Sequence, residues 1–165
     1  MTDPPRADGA GAAPAPSFTR PRIRKLSTRQ AAYVLTRNHV GRIAFVSNGR
    51  PAILPVHYVY AGDDIVGRTS YGMKAAAWDA RPEVAFEVDE TDAIFQWRSV
   101  IVQGTIGILS ARGTREERLL YWNAVAAIRT LVPDAMSERD PTPERQIVFA
   151  IEPREISGRE ASVRH

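Results

Sequence analysis

Asn48-Gly49 stands between two apolar runs, Gly41 to Ser47 before it and Arg50 to Tyr60 after it. Both central residues of a tight I′ turn need positive φ, which Asn and Gly tolerate, so this dipeptide predicts a β-hairpin. The second run carries Pro51 and Pro55. Proline has no N–H to give to a ladder, so part of that strand is expected at an edge or bulge, with backbone groups free to meet a ligand. Strand alternation puts Ile53, Pro55, His57 and Val59 on one face and Leu54, Val56, Tyr58 and Tyr60 on the other. His57 is then either a core histidine bonded to a backbone carbonyl or a site group beside the broken edge.

Further signals repeat the pattern. Leu26 to Gln30 reads as a helix start, with Ser27 as N-cap and Gln30 completing a capping box; Ala31, Val34 and Leu35 form its apolar stripe. Ala61-Gly62-Asp63 predicts a turn into a strand from Asp64, and Met73 to Ala80 a short helix. Pro82 to Asp89 reads as a strand with Val84, Phe86 and Val88 inward, Glu90 to Gln96 as a polar loop, and Trp97 to Leu109 as a long strand bent or bulged at Gly104 and Gly107. Thr114 and Glu117 form a second capping box, opening a helix to about Val132 with Leu120, Ala124, Ile128 and Leu131 as its stripe. Asp134 to Pro143 reads as a loop, and Gln146 to Pro153 as the last strand. Hairpins with three inserted helices, and no strict βαβ alternation, predict a mainly β, α+β protein: a small antiparallel barrel with peripheral helices.

The 165 residues suffice for one core-bearing domain plus a tail. Residues 1–22, rich in Pro, Ala and Gly, are expected as a disordered arm, 23–158 as the folded domain, and 159–165 as a frayed tail. The net charge of +3 lies wholly in residues 1–25, where Arg6, Arg20, Arg22, Arg24 and Lys25 face Asp3 and Asp8. A neutral body carries no electrostatic footprint for nucleic acid. No apolar run approaches the ~20 residues of a membrane span, and no signal-peptide core follows the start, so a cytoplasmic location is expected. With no cysteine there are no disulfides, thiolate metal sites or cysteine nucleophiles. His39, His57 and His165 are too few and scattered to predict a metal or haem site.

The chemistry concentrates in Asp64 to Trp78. Arg68, Thr69, Ser70, Gly72 and Lys74 fall where a strand turns into a helix. Two cations, two hydroxyls and free helix-start N–H groups suit an anion with several oxygens, such as a phosphate monoester. Lys74 is the one lysine of the body, placed in a first helical turn where the dipole disfavours a cation. A bound phosphate removes that conflict; the plainer alternative is that Arg68 and Lys74 are solvated charges.

Five segments in order, Gly41-Arg-Ile-Ala-Phe45, Pro51 through Tyr60, Arg68-Thr-Ser-Tyr-Gly-Met-Lys74, Val84-Ala-Phe-Glu-Val-Asp89 and Trp97-Arg-Ser-Val-Ile-Val-Gln-Gly104, resemble the pyridoxamine 5′-phosphate oxidase-like, split-barrel flavin-binding proteins. Within these, the chain is most similar to the small bacterial branch that includes nitroimidazole-resistance-type proteins. The resemblance implies FMN at a homodimer interface, its phosphate on Arg68, Thr69, Ser70 and Lys74, its ring near the backbone of Ile53, Leu54, Pro55 and Val56, and Trp97 and Ser99 supplied by the other subunit. It places His57 near the flavin, as a proton donor or substrate-orienting group. The expected activity is reduction of a small flat acceptor, such as a nitroaromatic or quinone. The deazaflavin F420 in the same fold is one alternative; a flavin-binding or sensing module without turnover is another. The C-terminal substrate motif of true pyridoxamine-phosphate oxidases is not visible in Ile156 to His165, so vitamin B6 oxidation is not implied.

Overall fold

The computed structural model describes residues 20–78, 80 and 82–163, without the side chains of residues 73–75. Most of the expected arm, the side chain of Lys74, and His165 therefore lie outside the described residues. The described chain runs β1 (Arg22–Lys25), α1 (Thr28–Arg37), β2 (Val40–Ser47), β3 (Arg50–Ala61), β4 (Asp64–Thr69), α2 (Met73–Trp78), β5 (Glu83–Ala93), β6 (Gln96–Leu109), α3 (Arg115–Arg129) and β7 (Ile147–Ser162).

The hairpins form where the turn chemistry puts them. Asn48 (φ 51°) and Gly49 (φ 74°) link β2 to β3, and Gly62 (φ 59°) and Asp63 (φ 71°) link β3 to β4. All strand pairings are antiparallel, in the order β1-β7-β4-β3-β2-β5-β6. A further ladder from β7 back to β6, running from Trp97↔Ala161 to Leu109↔Val148, closes the strands into a ring. That ring is the barrel expected from the hairpin pattern. Closure removes sheet edges everywhere except where neighbours diverge.

Alternate residues fill the interior: Ile43 and Phe45 of β2, Val84, Phe86 and Val88 of β5, Val100, Val102 and Ile106 of β6, and Phe149 and Ile151 of β7 are buried together. Trp78 of α2 plugs this core edge-on to Phe45 and Phe149. Gly41 is needed by close approach, since a Cβ there would lie 2.1 Å from the Phe86 ring. Both capping boxes form, with Ser27 on α1 and Thr114 on α3.

Four expectations change. β1 was not anticipated, and the tail expected to fray from 159 is strand through Ser162, held between β1 and β6. Its polar alternation, Arg154 to Arg159, hides it in sequence, because its partners lie far away in the chain. The Glu90–Gln96 loop is mostly strand: β5 runs on to Ala93 and pairs Thr91 with Trp97. The register shift at Gln103/Gly104 is the bulge expected there. The buried stripe of α3 is Tyr121, Ala124, Val125 and Ile128, with Leu120 half exposed. It is rotated from the expected stripe because the helix packs onto Val66 and Val148 of the barrel's outer side.

Candidate functional site

β3 leaves β4 partway along its length, and that divergence makes the site. β3 pairs with β4 only over Tyr58–Ala61, whereas its residues 50–57 pair with β2 alone. The Tyr58 N–H donates to the His39 carbonyl on the β2 side at 3.0 Å. Backbone N–H direction alternates along a strand, so Ile53 and His57 turn theirs toward the open side, and Pro51 and Pro55 occupy the other positions where an N–H would face it. The two prolines thus lose no ladder bond, and the edge expected from them exists. It offers the Ile53 N–H and the carbonyls of Pro51, Ile53 and Pro55. Leu54 and Val56 point into the barrel and shape the edge from behind.

Across the split stands the end of β4 and its turn into α2. Beyond the Tyr58↔Gly67 pair, β4 stays with β7, through Arg68↔Val148 and Thr69↔Ile147. Thr69 is 8% exposed. Its hydroxyl has no hydrogen-bond partner among the described residues, and neither has that of half-buried Ser70. The Thr69 oxygen keeps some solvent access, since the buried side-chain polar atom left without a partner among the described residues is Trp78 Nε1. Gly72 follows with open space around it, and Lys74 is the second residue of α2.

Arg68 behaves differently. Successive strand side chains face opposite ways, so Arg68 turns outward while Thr69 turns toward the core. The Arg68 side chain is 6% exposed and that of Asp140 is 1% exposed. The guanidinium grips both carboxylate oxygens, with Nη2 to Oδ1 at 2.9 Å, and reaches the Thr142 hydroxyl at 2.8 Å. Asp140 also accepts the Met136 N–H at 2.7 Å and the Thr142 N–H at 2.9 Å. The Arg68 guanidinium, with those N–H groups, holds the Asp140 carboxyl well below the usual carboxylate range. Arg68 therefore fastens residues 134–146 onto β4 and is not gathered with the hydroxyls of the turn. Nothing in the local sequence signals this, because its partner lies 72 residues away.

His57 points outward and is exposed, in a cavity of about 390 Å³ between β3, β4, the end of α3 and residues 141–145. It is not a core histidine. Trp97 and Ser99 lie on β6, with β2 and β5 between them and β3. Three strand spacings, roughly 14 Å, separate them from the split. Ser99 donates to Glu87 at 3.1 Å, within a surface network of Arg42, Glu87 and Asp89. One chain does not bring them to β3. Beside that charged network the outer face carries an apolar stripe: Ile53 lies beside Ala44, and Ala44 beside Ala85, with Val46 and Ile53 more than 60% exposed. No helix among the described residues is long and apolar enough to cross a membrane.

Comparison with known proteins gives the chain its family and the fold its relatives. A family model described as pyridoxamine 5′-phosphate oxidase matches residues 27–160. The crystal structure of an FAD-binding protein from Mesorhizobium loti is 29% identical, at a TM-score of 0.67 over 85% of this chain and 99% of that one. An uncharacterized protein of Rhizobium meliloti (strain 1021) is 26% identical over 102 residues, 61% of this chain and 68% of its own. A nitroimidazole-resistance-type protein structure from Bacteroides thetaiotaomicron shares the fold at a TM-score of 0.64 and 12% identity, over 87% of this chain and 90% of that one.

Proposed function

The chain belongs to the pyridoxamine 5′-phosphate oxidase family, and from that premise we propose that it holds a flavin, FMN, in the split between β3 and β4 and reduces a small flat acceptor with it. The observation that carries this reading is the pair of hydroxyls, Thr69 and Ser70, without hydrogen-bond partners among the described residues, at the end of β4 where β3 pairs on one side only. The Thr69 and Ser70 hydroxyls, with Lys74, suit a phosphate, and the exposed backbone of Ile53 to Val56 suits the hydrogen-bonding rim of a flat ring. The FAD-binding Mesorhizobium loti relative supports a flavin at this level of similarity.

When bound, a flavin supplies the hydride or electron transfer, so the protein needs only to position, shield and protonate. His57, outside the split and without a hydrogen-bond partner among the described residues, is placed to orient the acceptor or deliver a proton. Arg68 serves the site indirectly, by fixing the segment that walls the cavity. The apolar stripe through Ile53, Ala44 and Ala85 suits a second copy of the chain, and a homodimer built on it is the arrangement in which Trp97 and Ser99 of one copy reach the split of the other.

The test is the visible spectrum of the purified protein, followed by mass identification of the chromophore released by heat. A two-banded flavin spectrum with FMN released is expected. FAD or F420 instead would keep the split and change the cofactor. The double variant Thr69→Val/Lys74→Ala is expected to weaken flavin retention by at least about a hundred-fold, as two phosphate contacts are lost. Full flavin retention by that variant, or no binding of FMN, FAD or F420 by the wild type, refutes the assignment.

A further inference from the structure

The cavity beside His57 has features that the flavin reading does not require. Its volume of about 390 Å³ suits a molecule of one or two rings. Its apolar walls are Val59 and Val66 from the barrel, Ile128, Leu131 and Val132 from α3 and the residues just after it, and Pro141. Among the described residues no Asp or Glu lines it, whereas Arg68, Arg145, His39 and His57 do, together with the neutral Thr142 and Tyr58.

The two arginines are not equivalent. Arg68 is neutralised by Asp140, which it holds through both oxygens. Arg145 is half-buried at the rim, and its guanidinium has neither an ion pair nor a hydrogen bond among the described residues. Its position is fixed from the backbone, by the Arg145 N–H donating to the Thr142 carbonyl at 3.0 Å. Thr142 is in turn tied to Arg68 at 2.8 Å. The α3 carbonyls on this side are already engaged: Ala127 accepts from the Thr130 N–H and hydroxyl, and Ile128 from the N–H groups of Leu131 and Val132. They therefore offer little opposition to an anion.

An apolar slot with one unmatched guanidinium at its rim selects for a flat hydrophobic body bearing a single negative charge, since a carboxylate accepts two parallel N–H bonds from Arg. We propose that this cavity is a binding site for a planar aromatic monoanion of the arenecarboxylate class, with Arg145 taking the carboxylate and the β3–α3 walls taking the ring. The cavity is the one in which the proposed function sets His57, so the inference deepens that reading by naming a ligand class; its test stands apart from the flavin, because every wall and the guanidinium belong to one chain and are present without any cofactor.

The test is isothermal titration of the whole protein with 1-naphthoate and with its neutral counterpart 1-naphthamide, run with and without the flavin removed. Saturable one-to-one binding of naphthoate is expected, at least about ten-fold tighter than naphthamide. Arg145→Gln, a rim substitution, should abolish the preference for the acid while leaving amide binding unchanged. Leu131→Trp, which fills the slot from its partly exposed end, should weaken both ligands at least about ten-fold. Circular dichroism checks that each variant is folded. The proposal is overturned if wild-type protein does not bind naphthoate, if acid and amide bind alike, if Arg145→Gln keeps the preference, or if Leu131→Trp binds as wild type does.

Discussion

Arg68→Met removes the cation that holds the Asp140 carboxylate and leaves that carboxylate buried beneath residues 134–146. The Asp140 side chain is 1% exposed, and two backbone N–H groups remain to it, from Met136 and Thr142. Breaking a buried pair by deleting one partner costs about 3–5 kcal/mol. The low end, about 3 kcal/mol, is expected here, because the pair lies under a single loop and the two N–H groups still satisfy part of the charge. The double variant Arg68→Met/Asp140→Leu removes the stranded charge as well and should recover much of the loss. Urea unfolding at pH 7, followed by tryptophan fluorescence, measures both. A second signature comes from acid. The folded state depresses the Asp140 pKa, so its contribution is full above the ordinary value of 3.8 and is lost as pH falls toward the folded value. Wild-type stability should therefore fall more steeply below pH 3.8 than that of Arg68→Met. If the single variant loses less than about 1 kcal/mol, or if the double variant is no more stable than the single, the pair does not act as this reasoning requires. The same variant separates fastening from phosphate binding: folded Arg68→Met should keep flavin that Thr69→Val/Lys74→Ala loses.

Asp64 shows the opposite sign. Burial, with Glu152 and Asp63 nearby, pushes its pKa up, so its charged form weakens the fold above that value. Asp64→Asn should stabilise the protein at pH 7 by about 0.2–1 kcal/mol, the scale of a part-exposed charge contact. The gain should vanish below pH 3.8, where the carboxyl is protonated both folded and unfolded, and a urea-midpoint series against pH reads it. Gly41→Ala drives a methyl into the Phe86 ring at 2.1 Å, where the ring is fully buried against Tyr58. A cost of about 1–3 kcal/mol is expected from overpacking, and an unchanged urea midpoint would show that the core yields there.

The sequence by itself determined the elements whose cause is local. Asn48-Gly49 and Gly62-Asp63 set their turns through the φ they accept, Ser27 and Thr114 set their helix starts through side-chain caps, and period-two alternation assigned the inward face of β5 and sorted β3 into its two faces without saying which is inward. The prolines of β3 announced an edge free on one side, and the ordered motifs carried the family and its split barrel. What depended on distant partners was not legible. Strand β7 runs on to Ser162 because β1 and β6 flank it, and the stripe of α3 is decided by the barrel surface that it meets. Arg68 and Thr69 are neighbours with matching chemistry in the sequence, but a strand sends adjacent side chains to opposite faces. Only the tertiary structure, by bringing Asp140 beneath Arg68, decided that the arginine fastens a loop while the threonine hydroxyl stays unpaired at the split. The physical reason is that charge and hydrogen-bonding capacity are properties of a residue, whereas the partner that uses them is fixed by packing between segments far apart in the chain.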